Sequence, residues 1–178
     1  TALTEPGAGS DFSAIQTRAT ATNGGWHLNG SKAWITNIEI ADLFVTFVQT
    51  NPELGWKGIA CFLVDARKEG FTRGEIYNLK GGRAIGAGEF HLNNYFASES
   101  DMITPPGEAF KNAMGSLNEA RTYVAAMCCG IMTSCLEQTI SYCTDRHAFG
   151  QPVISHQGLQ WCLVDVATDI EALRALVL

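Results

Sequence analysis

Four clusters along this chain carry residue types that could hold a flat or anionic ligand. The first is Leu3-Thr4-Glu5-Pro6-Gly7-Ala8-Gly9-Ser10-Asp11. Glycines on both sides of Ala8 let the backbone turn tightly and come close to a ligand. Thr4 and Ser10 add hydroxyls at either end. Such a loop can present backbone N–H groups to a phosphate or a ring carbonyl; a plain surface turn uses the same residues. The second cluster is Ala33-Trp34-Ile35-Thr36-Asn37. On a strand, Trp34 and Thr36 share a face. An aromatic plane beside a hydroxyl suits a heteroaromatic ring that needs stacking and one hydrogen bond, although a core tryptophan would occupy the same position.

The third is Arg121, which fills a gap in an apolar helical stripe, with Asn118 three residues before it. An inward arginine needs a partner. That partner is either an acidic group in an ion pair or a ligand in a cleft. The fourth is Asp145-Arg146-His147-Ala148-Phe149-Gly150-Gln151-Pro152 with His156-Gln157. Arg146 and Gln157 could reach a phosphate or a base edge. A cation at a helix C-terminus and a polar first turn are the local alternatives.

These clusters need elements to position them. The first hundred residues read as strands: 16–22, 26–28, 31–36, 43–48, 58–64, 70–79 and 84–96. Asn23-Gly24-Gly25 marks a hairpin and Asn29-Gly30 a further turn, because these residues tolerate positive φ. Strands without intervening helices predict an antiparallel sheet, closed as a barrel or packed as a sandwich. After Pro105-Pro106-Gly107 the period changes to threes and fours. Phe110, Met114, Leu117, Val124, Cys128, Ile131 and Cys135 predict one long helix to about residue 143. Phe149-Gly150-Gln151-Pro152 forms a loop, and Ser155 suits the N-cap of a second helix. The stripe of that helix is Leu159, Cys162, Leu163, Val166, Ile170, Leu173 and Val177. The fold class is therefore α+β. A β-domain at 1–103 precedes two long antiparallel helices at 104–178, the start of an incomplete bundle.

Composition narrows the function. Twelve basic residues against 18 acidic ones give a net charge of −6, which disfavours nucleic acid as a partner. No apolar run approaches the roughly 18 residues of a membrane span. Six cysteines without C-x-x-C spacing read as reduced thiols of an intracellular protein. The chain starts at Thr1 and stops inside an apolar helical pattern, as expected of a piece of a longer protein.

In this order the four clusters resemble the acyl-CoA dehydrogenase family over essentially the whole chain. Residues 3–11 look like its middle-domain signature, with Trp34-Ile35-Thr36-Asn37 at the family's distance; Arg146, Phe149-Gly150 and His156-Gln157 are similar to its second signature. The resemblance implies a middle β-domain and the first part of the C-terminal helical domain, with FAD as cofactor. It implies that Leu3, Thr4, Gly9, Ser10, Trp34, Ile35 and Thr36 meet the flavin. Leu3 and Thr4 would lie at its pyrimidine side, Trp34 on one face and Thr36 near N5. Ser10 would also touch the acyl-CoA, with Asn118 and Arg121 towards the CoA moiety. Arg146, Phe149 and Gln157 would serve the FAD of a neighbouring subunit in a homo-oligomer, a dimer or tetramer. Thr1 and Ala148 depart from side chains common in the family.

The implied reaction is α,β-dehydrogenation of an acyl-CoA, with electrons passed to an electron-transfer flavoprotein, in a bacterial cytoplasm or a mitochondrial matrix. An oxygen-using relative (an acyl-CoA oxidase or flavin monooxygenase) and a non-catalytic flavin-binding assembly protein are the rivals. The catalytic base is expected beyond residue 178. Ala120 stands where some members carry a glutamate, and Glu119 is turned about 100° away on a helix. By this reading the chain alone does not turn over.

Overall fold

The computed structural model describes residues 1–177; Leu178, last of the predicted 104–178 segment, lies outside the described residues. The chain divides into two compact units, Thr1–Met114 and Gly115–Leu178.

In the first unit, β1 (Arg18–Thr22) and β2 (Gly25–Thr36) form the expected hairpin. Thr22 pairs with Gly25, so Asn23 and Gly24 make a two-residue turn, with Gly24 at φ +78°. Asn29-Gly30 is not a turn. The two short strands expected at 26–28 and 31–36 are one strand, and the ladder shifts between Leu28 and Gly30. Gly30 absorbs this bulge at φ +148°, where a Cβ would sit 2.6 Å from the Cα of Thr17. The glycine marks a close backbone crossing, a second use of the same conformational freedom.

The remaining strands are β3 (Leu43–Gln49), β4 (Ile59–Asp65), β5 (Phe71–Ile76), β6 (Ala87–Ser98) and β7 (Met102–Thr104). Residues 77–86, expected largely as strand ends, form the connection between β5 and β6. The order is β5-β6-β2-β1-β3-β4-β7. All neighbours are antiparallel except β1 and β3, which run parallel through Arg18 and Gln49. With β2 antiparallel to β1, a strand that reverses after β2 and takes the free edge of β1 must run parallel to β1. The sheet is thus mixed and open, not the wholly antiparallel or barrel-closed sheet that the sequence predicts.

It folds over itself like a sandwich. Phe44 of β3 packs on Phe71 and Phe90 at 5.4 and 5.1 Å, and Trp26 of β2 packs on Phe62 of β4 at 6.0 Å. The Asp65 N–H donates to the Tyr95 hydroxyl across the same interior at 2.8 Å. Phe44, Phe62 and Phe90 are fully buried and each contributes about 1.5–3 kcal/mol by removal from water, while Trp26 and Phe71 are half-buried at the edge of the cluster. A second cluster lies on the other face of β3 and β4. There Phe12 packs on Phe47 and Phe110, both at 5.4 Å.

The second unit is made by α1 (Ala109–Asp145, its first turns in the first unit), a short hairpin of β8 (His147–Ala148) and β9 (Gln151–Pro152), and α2 (Gln157–Val177). The α2 stripe is as predicted at Leu159, Leu163, Ile170, Leu173 and Val177, whereas Cys162 and Val166 are exposed. The α1 stripe is as predicted at Phe110, Met114 and Leu117 but shifts after them. Ala125, Cys129, Met132, Leu136 and Cys143 are its covered positions, and Val124, Cys128, Ile131 and Cys135 are exposed. Residues on both stripes are apolar, so periodicity could not choose between neighbours about 100° apart. The Cys129 thiol lies 3.9 Å from the carbonyl of Ile170, which fixes the pairing of the helices. Three cysteines, Cys61, Cys129 and Cys143, are buried, and all six are free. Ser155 is not the N-cap. Residues 153–155 form a 3₁₀ turn, and the His156 carbonyl receives the first N–H bonds of α2, from Leu159 and Gln160. Among the described residues no helix is long and apolar enough to cross a membrane.

Candidate functional site

The 3–9 segment is pinned at both ends. Ala2 lies in parallel beside β3, donating to Val45 at 2.7 Å and accepting from Phe47 at 3.1 Å. The Thr4 carbonyl accepts from the Ala33 N–H at 3.0 Å, so Leu3 and Thr4 run beside the Trp34 end of β2. Glu5 and Ala8 then close a tight turn through reciprocal bonds of 2.9 and 3.1 Å. Within the described residues the N–H groups of Leu3 and Thr4 have no protein acceptor. Gly9 and Ser10 are exposed, and a Cβ on Gly9 would meet nothing within 4 Å.

Trp34 sits on a second bulge, where the β2–β6 ladder shifts between Lys32 and Ile35. Its φ is +59° and it is 61% exposed, which excludes the core reading. A bulky residue in this region costs on the order of 1–3 kcal/mol and persists where the surroundings impose it. Thr36, two residues on, is exposed as well. Ile35, expected at the flavin, is 2% exposed, belongs to the core and pairs with Gly88 in the β2–β6 ladder. The sequence reading missed Tyr77. Its ring lies 4.5 Å from that of Trp34, and its N–H donates to Ala87 at 2.8 Å. The signal was a lone aromatic after a strand, with nothing to connect it to residue 34.

Beneath the loop lies a buried ion pair, also missed. The Lys32 ammonium is 2.8 Å from Glu5 Oε1, and their side chains are 0% and 5% exposed. Lys32 also donates to the Leu3 carbonyl at 3.1 Å. The Glu5 carboxylate accepts from the N–H groups of Gln16 and Thr17 at 2.6 and 3.0 Å. Burial pushes the Lys32 ammonium down to about 8, against the opposing pull of Glu5. Burial acts on Glu5 in the upward direction, but the Lys32 charge and the bonds from Lys32, Thr17 and Gln16 outweigh it and hold the carboxyl below its ordinary value.

In the second unit, Arg121 Nη1 donates to Asn118 Oδ1 at 2.8 Å, and both side chains are exposed. Arg121, read from the sequence as inward, is exposed, and its guanidinium has no carboxylate partner among the described residues. Arg146, Phe149 and Gln157 cluster around the β8–β9 hairpin. Phe149 and Gly150 form its two-residue tip, both at positive φ (+54° and +79°). Phe149 is 95% exposed. The Arg146 carbonyl accepts from the Val153 N–H at 2.7 Å, holding the hairpin to the start of the 3₁₀ turn.

Residues 1–95 match the acyl-CoA dehydrogenase middle domain, and residues 107–178 match the acyl-CoA dehydrogenase C-terminal domain. The short/branched chain specific acyl-CoA dehydrogenase of Rattus norvegicus mitochondria is 41% identical over 174 residues, covering 98% of this chain and 40% of its own length. A solved structure described as an electron transferring flavoprotein of Acidaminococcus fermentans superposes with a TM-score of 0.95 at 38% identity, over 99% of this chain and 46% of the other. PigA with FAD and proline superposes with a TM-score of 0.93 at 31% identity, over 99% and 46%. The chain spans less than half the length of these proteins. Both halves match in one continuous order and together cover most of the chain, so the chain belongs to the acyl-CoA dehydrogenase family.

Proposed function

We propose that the protein of which this chain is a part catalyses α,β-dehydrogenation of an acyl-CoA thioester, with FAD as hydride acceptor and an electron-transfer flavoprotein as electron acceptor. The observation that carries this reading is the juxtaposition of two unsatisfied backbone donors, on Leu3 and Thr4, with an outward tryptophan held in a strained conformation. The residues fit a flavin: its pyrimidine carbonyls need donors in one plane, and its ring system needs an aromatic floor. When bound, FAD would take the β-hydrogen as hydride at N5.

The chain's own residues then bind and orient. The N–H groups of Leu3 and Thr4 would donate to the pyrimidine edge, and Trp34 would cover one face. The exposed Thr36 hydroxyl would donate to the flavin near N5 and offset negative charge on the reduced ring. Ser10 stands at the loop end towards substrate. Asn118 and Arg121 hold the CoA portion, with the bond between them pre-orienting the guanidinium. Arg146, Phe149 and Gln157 reach the FAD of another subunit of a homo-oligomer. The base that removes the α-proton lies outside residues 1–178. A short or branched acyl group is the favoured substrate, on the strength of the rat relative.

The test is acyl-CoA oxidation by the full-length protein with an artificial electron acceptor, using short and branched thioesters, together with its visible absorption. A flavin spectrum that bleaches anaerobically on adding substrate is expected. A purified full-length protein that never carries flavin overturns the reading, and stoichiometric oxygen consumption transfers it to the oxygen-using relatives.

A further inference from the structure

The 3–9 loop packs on the second core cluster through Leu3 and Ala8, but apolar contacts are not directional, and the donors on Leu3 and Thr4 must keep their place to within a fraction of an ångström to act on a ring edge. Beside the backbone bonds of Ala2, Thr4, Glu5 and Ala8, a buried charge network holds this segment. One ammonium, Lys32 Nζ, bonds the Leu3 carbonyl and the Glu5 carboxylate; that carboxylate in turn takes the N–H groups of Gln16 and Thr17. Three separate stretches of chain, 3–5, 16–17 and β2, meet at two charged groups. Lys32 stands two residues before Trp34, so the group that holds the donors also precedes the bulge that turns the indole outward. Gly30 completes the arrangement, since any side chain there would push Thr17 and its N–H away from Glu5. A buried ion pair is a poor source of stability compared with an apolar pair of the same volume. Its directional bonds do what apolar packing does not: they set the backbone of the loop to one position relative to β2.

We propose that Glu5 and Lys32 are positioning residues for the cofactor, a buried ion pair that sets the Leu3 and Thr4 donors against the Trp34 plane and so determines how a flavin is held. The proposal rests on the FAD reading above. It assigns neither residue a contact with cofactor or substrate; both act through the backbone.

The experiment uses the full-length protein with Glu5→Gln, Lys32→Met, the combination of both, and Glu5→Asp, which keeps the charge but draws the carboxylate back by one methylene. Three quantities are measured: thermal midpoint, FAD affinity of the apoprotein with the visible spectrum of the bound flavin, and amide exchange of the peptide covering residues 2–10. In wild type that peptide is expected to be protected at the Glu5 and Ala8 amides. The combined variant, which leaves no unpaired buried charge, is expected to recover the thermal midpoint lost by the single ones. It is also expected to bind FAD about tenfold more weakly than wild type, with a shifted flavin band and faster exchange at 2–10. Glu5→Asp is expected to fold and to show the same spectral shift in smaller degree. A structural role alone would restore FAD affinity together with the thermal midpoint, and that result overturns the proposal. So do folded variants with wild-type affinity, spectrum and exchange. Wild-type protein that takes up no FAD overturns the functional reading instead, and the exchange data then still decide whether the pair holds the loop.

Discussion

The rings of Trp34 and Tyr77 lie 4.5 Å apart, tilted by 51°, and brace an indole that no core residue covers. Tyr77 is itself fixed, since its N–H bonds to Ala87 and its hydroxyl lies 3.4 Å from Glu89 Oε2. An aromatic pair of this kind is worth about 0.5–1.5 kcal/mol beyond its buried area. Tyr77→Ala should therefore lower FAD affinity by a few-fold to about tenfold, by letting the indole swing. Trp34→Ala should do so more strongly and alter the flavin spectrum. Fluorescence titration of the apoprotein measures both; a Tyr77→Ala protein with wild-type affinity would show that Trp34 needs no brace.

Gly30→Ala tests the backbone crossing. The added methyl would lie 2.6 Å from the Cα and 2.8 Å from the Cβ of Thr17, so β2 or the 16–17 segment must move. A loss of about 2–3 kcal/mol is expected from the clash and the positive φ together. Urea unfolding measures it. Gly9→Ala is the control: a Cβ there meets nothing within 4 Å and φ is not positive, so it should unfold like wild type.

The pH dependence follows from Lys32. Its folded value, about 8, lies below the ordinary 10.5 because burial disfavours the charge. Between these values the unfolded chain holds more protons than the folded one, so stability rises with pH across that window. Glu5 works at the other end. Its folded value lies below the ordinary 4.5, so it stabilises above that pH and loses the contribution as pH falls through the folded value. The thermal midpoint of wild type, taken as a difference from Glu5→Gln/Lys32→Met, should climb from pH 8 towards 10.5 and drop below pH 4.5. A flat difference at both ends would mean that neither group titrates away from its ordinary value.

Much of this was legible. Hydrophobic alternation, turn residues and the change of period after Pro106 located the sheet, the hairpin at 23–24 and both helices. What failed was long-range. Whether Asn29-Gly30 turns or bulges depends on Thr17 crossing above it, and the α1 stripe depends on which side α2 takes. The Glu5–Lys32 pair joins residues 27 positions apart. No local pattern separates a buried lysine in a strand from an exposed one, and attention to the glycines and hydroxyls of the 3–11 loop passed over the carboxylate that anchors it. Trp34 could be placed beside Thr36 from strand parity, but its outward turn comes from a bulge that parity does not contain.

Phe149 carries a strain that the second unit does not explain. A two-residue turn with both φ values positive favours Asn or Gly at its first position, yet a phenylalanine stands there with its ring almost wholly in solvent. Phe149→Asn should raise the stability of the unit by up to about 1 kcal/mol. If the ring serves the FAD of a neighbouring subunit, the same change should weaken FAD retention and shift light scattering towards smaller species. Loss of stability with unchanged retention would show that the ring supports its own hairpin, for example through its edge contact with His156 at 5.9 Å.

The last expectation concerns the base. Removing an α-proton needs a carboxylate beside the thioester, with a pKa raised by burial. Along α1 near Arg121 the only carboxylate is Glu119, which is exposed. Arg121 and Glu119 are two residues apart, which separates their side chains by about 200° around a helix of 3.6 residues per turn. If Arg121 faces the CoA, Glu119 faces away from it. Ala120, at the position before the arginine, has no group to offer. Glu119→Gln in the full-length protein should therefore leave kcat and KM for an acyl-CoA unchanged, whereas Arg121→Ala should raise KM by about tenfold or more through loss of a charge-assisted contact. Measuring both variants with one thioester and an artificial acceptor separates the roles. A collapse of kcat in Glu119→Gln, with KM preserved, would put the base on α1 after all.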